Sequence, residues 1–382
     1  MIFEIFTMYF AGGMKYYIIA GEASGDLHGS NLIKELKKLD DAADIRCWGG
    51  DLMQQAGAHL VKHYRDLAFM GFAEVVKNLG TILKNLKFCK KDILQFKPDA
   101  LILIDYPGFN LRIARWAKQQ GLKVIYYISP QVWAWKENRV KEMKKDIDKM
   151  IVIIPFEKEY FKNKWNWDVE YVGHPLAEVI ESQKSKIKDR KYSDKPIVAL
   201  LPGSRKQEIA KKLPIMLEVS KFFPGYQFII AEAPSVEDEF YQNFTKAYSN
   251  VSAVKNQTYN LLSQANAALV TSGTATLETA LFGVPEVVCY KGSTISYQIA
   301  KRVIKVKYIS MVNLIMDRLV VKELIQNDLT VGNLKHELHE LLTNEKRIAE
   351  MKKDYAKLKT TLSEGGNASA KAARSIIHFL SE

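Results

Sequence analysis

The chain has 382 residues, and at roughly 100–200 residues per domain that is enough for two or three domains. Hydrophobic residues make up 47% and charged residues 26%, ordinary globular fractions that exclude disordered and fibrous classes. The 55 Lys and Arg outnumber the 43 Asp and Glu, and the formal net charge of +12 favours an anionic partner: nucleic acid, a phosphorylated substrate or an anionic membrane surface.

Residues 1–13 are apolar but short and lack the basic start of a signal peptide, so they read as an extension ahead of the fold or an early start codon, with an anchor as the alternative. From there short apolar runs alternate with helical patterns. Residues 16–20 predict a strand, 26–39 a helix, 100–104 a strand, 111–120 a helix ended by Gly121, and 124–128 and 150–154 two further strands. Near-continuous apolar strands separated by helices predict a parallel sheet covered on both faces. The almost wholly polar stretch 182–196 predicts a linker. The alternation then resumes with strands at 197–201, 227–231, 267–270 and 286–290. The expected organisation is an N-terminal α/β domain over 14–181, a linker over 182–196, a second α/β domain over 197–364, and a terminal helix over 365–382 that is free to pack back on the first domain. A cleft between the domains is expected, with ligands beyond the carboxyl ends of the strands. No apolar run approaches the roughly 18 residues that span a bilayer, which predicts a soluble or peripheral protein. Cys47, Cys89 and Cys289 are too dispersed for a disulfide framework and suit a reducing cytoplasm.

The turns after the strands carry the chemistry. Gly21–Gly29 contains glycines for a tight turn and opens a helix whose N–H groups suit an anion or a polar sugar; a purely structural turn would read the same. Asp105 follows a strand and precedes Pro107-Gly108, a placement that suits either a general base or a turn aspartate. Trp133 and Trp135 suit either a sugar or acyl wall or ordinary packing. Ser204 and Gln207 have capping-box spacing, which predicts a helix starting at Ser204 with Arg205 beside its N-terminus, a diphosphate site or a plain capped helix. Ser272, Gly273 and Thr274 open another helix after a strand, with Glu278 one turn on and suited to ribose hydroxyls. Two such helix starts point to a nucleotide diphosphate more than either alone.

Residues 67–94 repeat apolar side chains at helical spacing, with Lys77, Lys84, Lys87, Lys90 and Lys91 interspersed. The pattern fits a helix packed on the sheet or a membrane-interface or acyl contact. His336 and His339 lack both the H-E-x-x-H spacing and a third ligand, and are read as a solvated helix face.

In order, Gly-Glu-Ala-Ser-Gly-Asp (21–26), Asp-Tyr-Pro-Gly-Phe-Asn (105–110), Tyr-Ile-Ser-Pro-Gln-Val-Trp-Ala-Trp (127–135), Pro-Phe-Glu (155–157), Val-Gly-His-Pro (172–175), Leu-Leu-Pro-Gly-Ser-Arg (200–205), Ser-Gly-Thr-Ala-Thr-Leu-Glu (272–278) and Val-Val-Lys-Glu-Leu-Ile-Gln (320–326) resemble the lipid-A-disaccharide synthase family. The resemblance runs from about residue 14 to the end. It implies two Rossmann-like domains of GT-B type and an inverting glycosyl transfer. The family moves 2,3-diacylglucosamine from its UDP carrier to the 6-hydroxyl of 2,3-diacylglucosamine 1-phosphate (lipid X), giving a β-1,6 disaccharide phosphate and UDP. It implies no metal and no cofactor, peripheral placement at the cytoplasmic face of the inner membrane, and either a monomer or a homodimer, a swapped one being known in the family. By the same resemblance Asp105 is the base, and Arg205 with the helix at Ser204 stabilises the leaving diphosphate. Ser272, Gly273, Thr274, Glu278 and Asn313 hold UDP, Glu22, Ser24 and Asp26 face the sugars, and Asn110 and Trp133 are further substrate-binding residues. The family turn often reads Asp-x-Pro-Asp-Phe-Asn, and Gly108 stands where the second Asp would be; if Asp105 were not the base, Glu22 or Asp26 would be. Rival readings are another UDP-sugar enzyme of this fold, a nucleic-acid binder or a silent scaffold. No nucleic-acid module is recognisable, and the Asp105 and Arg205 motifs are intact.

Overall fold

Alternating apolar runs and amphipathic helices leave the strands nowhere to go but between helical layers. In the computed structural model, which describes residues 13–66, 79–187, 191–293, 297–298, 302, 306–364 and 366–382, that is how they are arranged. The first sheet contains β1 (Lys15–Ala20), β2 (Asp44–Gly49), β3 (His59–His63), β4 (Ala100–Ile104), β5 (Lys123–Tyr127), β6 (Lys149–Val152) and β7 (Glu170–Tyr171). Every residue of β4 is buried, as are all of β1 after Lys15. Among the described residues the strand order is β3-β2-β1-β4-β5-β6-β7, and all pairings are parallel.

A second sheet repeats the plan with β8 (Ile197–Leu201), β9 (Gln227–Glu232), β10 (Val251–Lys255), β11 (Ala265–Thr271), β12 (Glu286–Tyr290) and β13 (Lys322–Ile325). Its order is β10-β9-β8-β11-β12-β13, again wholly parallel. In each sheet the chain builds outward in one direction, returns to the middle and builds the other way. The reversal falls between β1 and β4 in one sheet and between β8 and β11 in the other. Loops leaving the carboxyl ends of such a pair part to opposite sides and leave a crevice, the usual ligand position in open parallel sheets.

The chain divides into two compact units. One holds the described residues up to Pro175 together with the helix Ala368–Ser381; the other is Leu176–Glu364. The expected crossing at 182–196 differs from this division, and the reason is packing. Leu176, Ala177 and Ile180, on the helix Pro175–Lys184, belong to the core around Val198, Leu213 and Leu269 in the second unit. Polarity marks an exposed surface, while the apolar side chains decide which core a segment joins. The terminal helix Ala368–Ser381 packs its Ala372, Ala373, Ile376 and Ile377 face inward against the helix Ala23–Leu39. Ser375 hydrogen-bonds Glu170, and Lys123 reaches the Phe379 ring, 5.2 Å from its centroid. Cys47, Cys89 and Cys289 are buried free thiols. Residues 1–12 and 67–78, which include part of the basic amphipathic stretch, lie outside the described residues.

Candidate active site

At the reversal point of the first sheet, Gly21 follows β1 and Asp105 follows β4. A Cβ at Gly21 would lie 2.3 Å from the Tyr106 ring, so only glycine lets that ring cross the turn. Asp105 and Tyr106 both sit in the left-handed region, at φ 43° and 48°. Two successive non-glycine residues there store strain that the surroundings must hold in place. Asn110, fully buried, does so. Its Nδ2 donates to the carbonyls of Ile19 at 3.3 Å, Ile104 at 3.2 Å and Asp105 at 2.8 Å. The Tyr126 hydroxyl donates to the Asp105 carbonyl at 2.6 Å. Asn110, expected to bind substrate, thus anchors the turn that presents Asp105.

Burial, and then the Glu22 carboxylate, raises the Asp105 carboxyl to about 6. Glu157, on the helix Pro155–Trp165, is 1% exposed and accepts from Trp133 Nε1 at 3.0 Å and from the Ile154 N–H at 3.2 Å. Burial pushes its carboxyl up to about 8 despite those donors, with Asp105 adding to the rise. Glu157 therefore keeps its proton through the range in which Asp105 loses one. Carboxyl groups whose environments separate their proton affinities are a mark of acid–base sites. The half-buried Trp133 indole also stands edge-on to Phe156, with centroids 4.9 Å apart. Trp135 is exposed, with Lys136 Nζ 4.4 Å from its ring centroid.

The other expected residues of this unit divide. Glu22 precedes the helix Ala23–Leu39, and Ser24 is exposed on its first turn. Asp26 is 3% exposed and accepts from the N–H groups of Gly50 at 2.8 Å, Leu52 at 3.2 Å and Met53 at 3.0 Å. Its carboxylate caps the short helix Asp51–Gln55. Individual reading of the sequence turns passed over Glu157, His28 and His174. Burial lowers both imidazoles, to about 4 and about 3, and each lies close enough for His28 to depress His174 further. Glu157 and His174 sit within the Pro-Phe-Glu and Val-Gly-His-Pro segments, so the motif order alone flagged them.

At the reversal point of the second sheet, β8 runs into Pro202-Gly203-Ser204-Arg205. The expected capping box at Ser204 and Gln207 does not form. The helix is Lys206–Ser220, its N-cap is Arg205, and no side chain caps it among the described residues. Gly203, at φ 123°, turns the chain so that helical geometry starts late, and Ser204 lies outside the capping position. Arg205 is exposed and pairs with Glu208, Nη1 to Oε1 3.3 Å.

The neighbouring strand β11 runs into Ser272 and Gly273, the latter at φ 150°, and the helix Thr274–Phe282 likewise starts without a side-chain cap among the described residues. By contrast Ser310, Thr330 and Asn344 each cap a helix of this unit. Uncapped helix starts leave N–H donors and the positive end of the dipole for an anion. Ser272 donates to the Ile309 carbonyl at 2.8 Å, while Gly273 and Thr274 are exposed. Asn313, expected at UDP, is fully buried. Its Nδ2 donates to Val321 O at 2.8 Å and Glu323 Oε1 at 2.9 Å, and its Oδ1 accepts from the N–H groups of Val320 and Val321. It ties the helix Met311–Met316 to β13 and supports the 309–310 turn on which Ser272 rests. Glu278 lines a cavity of about 730 Å³ with Asn256, Gln257, Tyr259, Lys255 and Lys186. Tyr259 donates to Glu278 Oε1 at 3.0 Å, and burial raises the Glu278 carboxyl. The cavity offers amide, carboxyl, aromatic and cationic contacts of the kind a nucleoside needs.

Of the basic amphipathic stretch, the described part is the helix Leu79–Phe96. Leu86, Cys89 and Ile93 pack in the core, as expected of a helix on a sheet. Leu83, Phe88 and Leu94 are exposed at 56%, 48% and 49%, with Lys84, Lys87 and Lys91 exposed among them. No described helix is long and apolar enough to cross a membrane.

A family model described as lipid-A-disaccharide synthetase matches residues 16–377. The lipid-A-disaccharide synthase of Geobacter metallireducens is 38% identical over 365 residues, covering 93% of this chain and 95% of that one. Lipid-A-disaccharide synthase 1 of Legionella pneumophila strain Paris is 38% identical over 359 residues, covering 91% and 93%. Among solved structures, the UDP-GlcNAc 2-epimerase of Neisseria meningitidis bound to UDP-GlcNAc superposes with TM-score 0.68 at 14% identity, covering 96% of this chain and all 100% of that one. The glycotransferase of kitacinnamycin gives TM-score 0.65 at 13% identity, covering 96% and 99%. At such identities these structures speak for the fold, the two-domain GT-B architecture.

Proposed function

The chain belongs to the lipid-A-disaccharide synthase family of glycosyltransferases, and from that premise we propose that it transfers 2,3-diacylglucosamine from UDP to the 6-hydroxyl of lipid X with inversion. The acceptor hydroxyl gives its proton to the Asp105 carboxylate as its oxygen bonds to the anomeric carbon. The bond from that carbon to the diphosphate breaks, and the electron pair leaves with UDP. A base with proton affinity near 6 is largely ionised at neutral pH and still able to accept a proton. Arg205 and the uncapped starts of the helices Lys206–Ser220 and Thr274–Phe282 meet the charge growing on the diphosphate. The cavity beside Glu278 takes the nucleoside, with Glu278 toward the ribose. Glu22, Ser24 and Trp133 meet the sugars; Asp26, Asn110 and Asn313 hold the loops that present these groups. Gly108 offers no carboxylate, although a Cβ there would meet nothing within 4 Å, which leaves Asp105 as the base of this turn.

The observation that carries the reading is Asp105, a partly buried carboxyl held in strained backbone at the reversal point of its sheet. The test is UDP release from UDP-2,3-diacylglucosamine in detergent micelles, with and without lipid X. Release that depends on lipid X and yields a disaccharide phosphate is expected. Release without lipid X would mean hydrolysis, and turnover of UDP-N-acetylglucosamine instead would move the chain to another activity of this fold. The exposed Leu83, Phe88 and Leu94 with their lysines supply the peripheral contact with an anionic inner-membrane surface. Replacing the three apolar residues by Ser should weaken binding to anionic vesicles, and unchanged binding would remove that part of the proposal.

A further inference from the structure

The tandem Lys211-Lys212 on the helix Lys206–Ser220 splits into one exposed and one buried residue. Lys212 is 2% exposed, which lysines almost never are without a paired charge. Among the described residues it makes no hydrogen bond and no ion pair. Helical side chains lean toward the N-terminus. Lys212 follows that lean back under the turn that opens its own helix: a Cβ built on Gly203 would stand 3.6 Å from Lys212 Nζ and 3.1 Å from Glu208 Oε2. Burial pushes its ammonium below the usual lysine range, against the pull of Glu208, so the fold pays to keep a cation there. The apolar core beside it, Leu213, Met216 and Leu217, gives no reason for a charge.

We propose that Lys212 is a fixed cation of the diphosphate site, acting through the Gly203 turn on the terminal phosphate of a bound nucleoside diphosphate. The inference rests on the proposed use of a UDP-linked donor. Arg205 is exposed and pairs with Glu208, so its charge is hydrated; the Glu208 carboxylate also faces Lys212. Lys212 is buried, and a charge so placed acts on a nearby anion through a lower effective dielectric.

The experiment titrates full-length protein with UDP, UMP and uridine by calorimetry, for wild type, Lys212→Met and Lys212→Gln, with the melting temperature of each. For either folded variant, UDP affinity should fall about tenfold, UMP less, and uridine not at all. The melting temperature of Lys212→Met should hold or rise, because a desolvated charge has gone. Equal losses for all three ligands together with lower melting would make Lys212 structural and overturn the proposal. Unchanged UDP affinity would overturn it too. Wild type that binds uridine and UDP alike, or neither, would overturn the UDP reading first.

Discussion

At the carboxyl ends of β1 and β4 the chain gathers Glu22, Asp105 and Glu157. At those of β8 and β11 it gathers two glycine turns, Arg205, Lys212 and two helix starts without a side-chain cap among the described residues. The strand orders are equivalent, and the reversal point falls at the same place in both sheets. Topology thus fixes where a ligand can sit, while the residues after the strands decide what that ligand is. In the first unit burial raises the proton affinities of Asp105 and Glu157, which is what the proposed proton transfer draws on. In the second, glycine turns, helix starts and cations follow the strands instead, which is what the proposed diphosphate site draws on.

The contrast breaks most sharply at Asp105. Asp105→Asn keeps the shape and the strained turn but removes the proton acceptor, and turnover should fall about 10³-fold with UDP affinity within twofold of wild type. Calorimetry beside the release assay checks both; lost UDP binding would erase the division of labour. Arg205→Ala should act from the other side, lowering turnover about 10²-fold while leaving the pH dependence in place. Next is the acid limb of the pH–rate profile, expected near 6 from Asp105. The Glu22 carboxylate raises that value, so Glu22→Gln should move the limb to lower pH; a shift upward or none would separate the two carboxyls.

A further effect is on stability. The Glu157 carboxyl is raised from 4.5 to about 8 in the fold, so the folded state holds a proton that the unfolded chain releases. Its contribution is complete below about 4.5 and is lost as pH rises through 8. Chemical denaturation at pH 5 and pH 8.5 should show a smaller difference for Glu157→Gln than for wild type, since Gln preserves the acceptor for Trp133.

Much of this was legible in the sequence because strands such as 100–104 and 197–201 are short, apolar and followed by glycine or proline, which marks both the parallel sheets and the turns that matter. The motif order pointed to the family. What stayed hidden depends on three dimensions. Nothing local says that Asp26 reaches Gly50 and Met53 across the sheet rather than a sugar. Nor does the spacing of Asn313 reveal that the segment 320–323 takes its side-chain hydrogen bonds. The Ser204–Gln207 spacing was sound chemistry applied one residue early, because the Gly203 backbone angle delays the helix. Lys212 looks like half of a solvated pair until burial separates it from Lys211.

The return of the helix Ala368–Ser381 to the first unit has a consequence for birth of the molecule on the ribosome. The face of the helix Ala23–Leu39 that it covers is made early, but its cover is made only after the whole second unit. At about 5–20 residues per second, the whole of the second unit passes in between, roughly ten to forty seconds in which that face lacks its partner. The nascent first unit is open to chaperones or to the wrong cover until the helix Ala368–Ser381 is made and closes it.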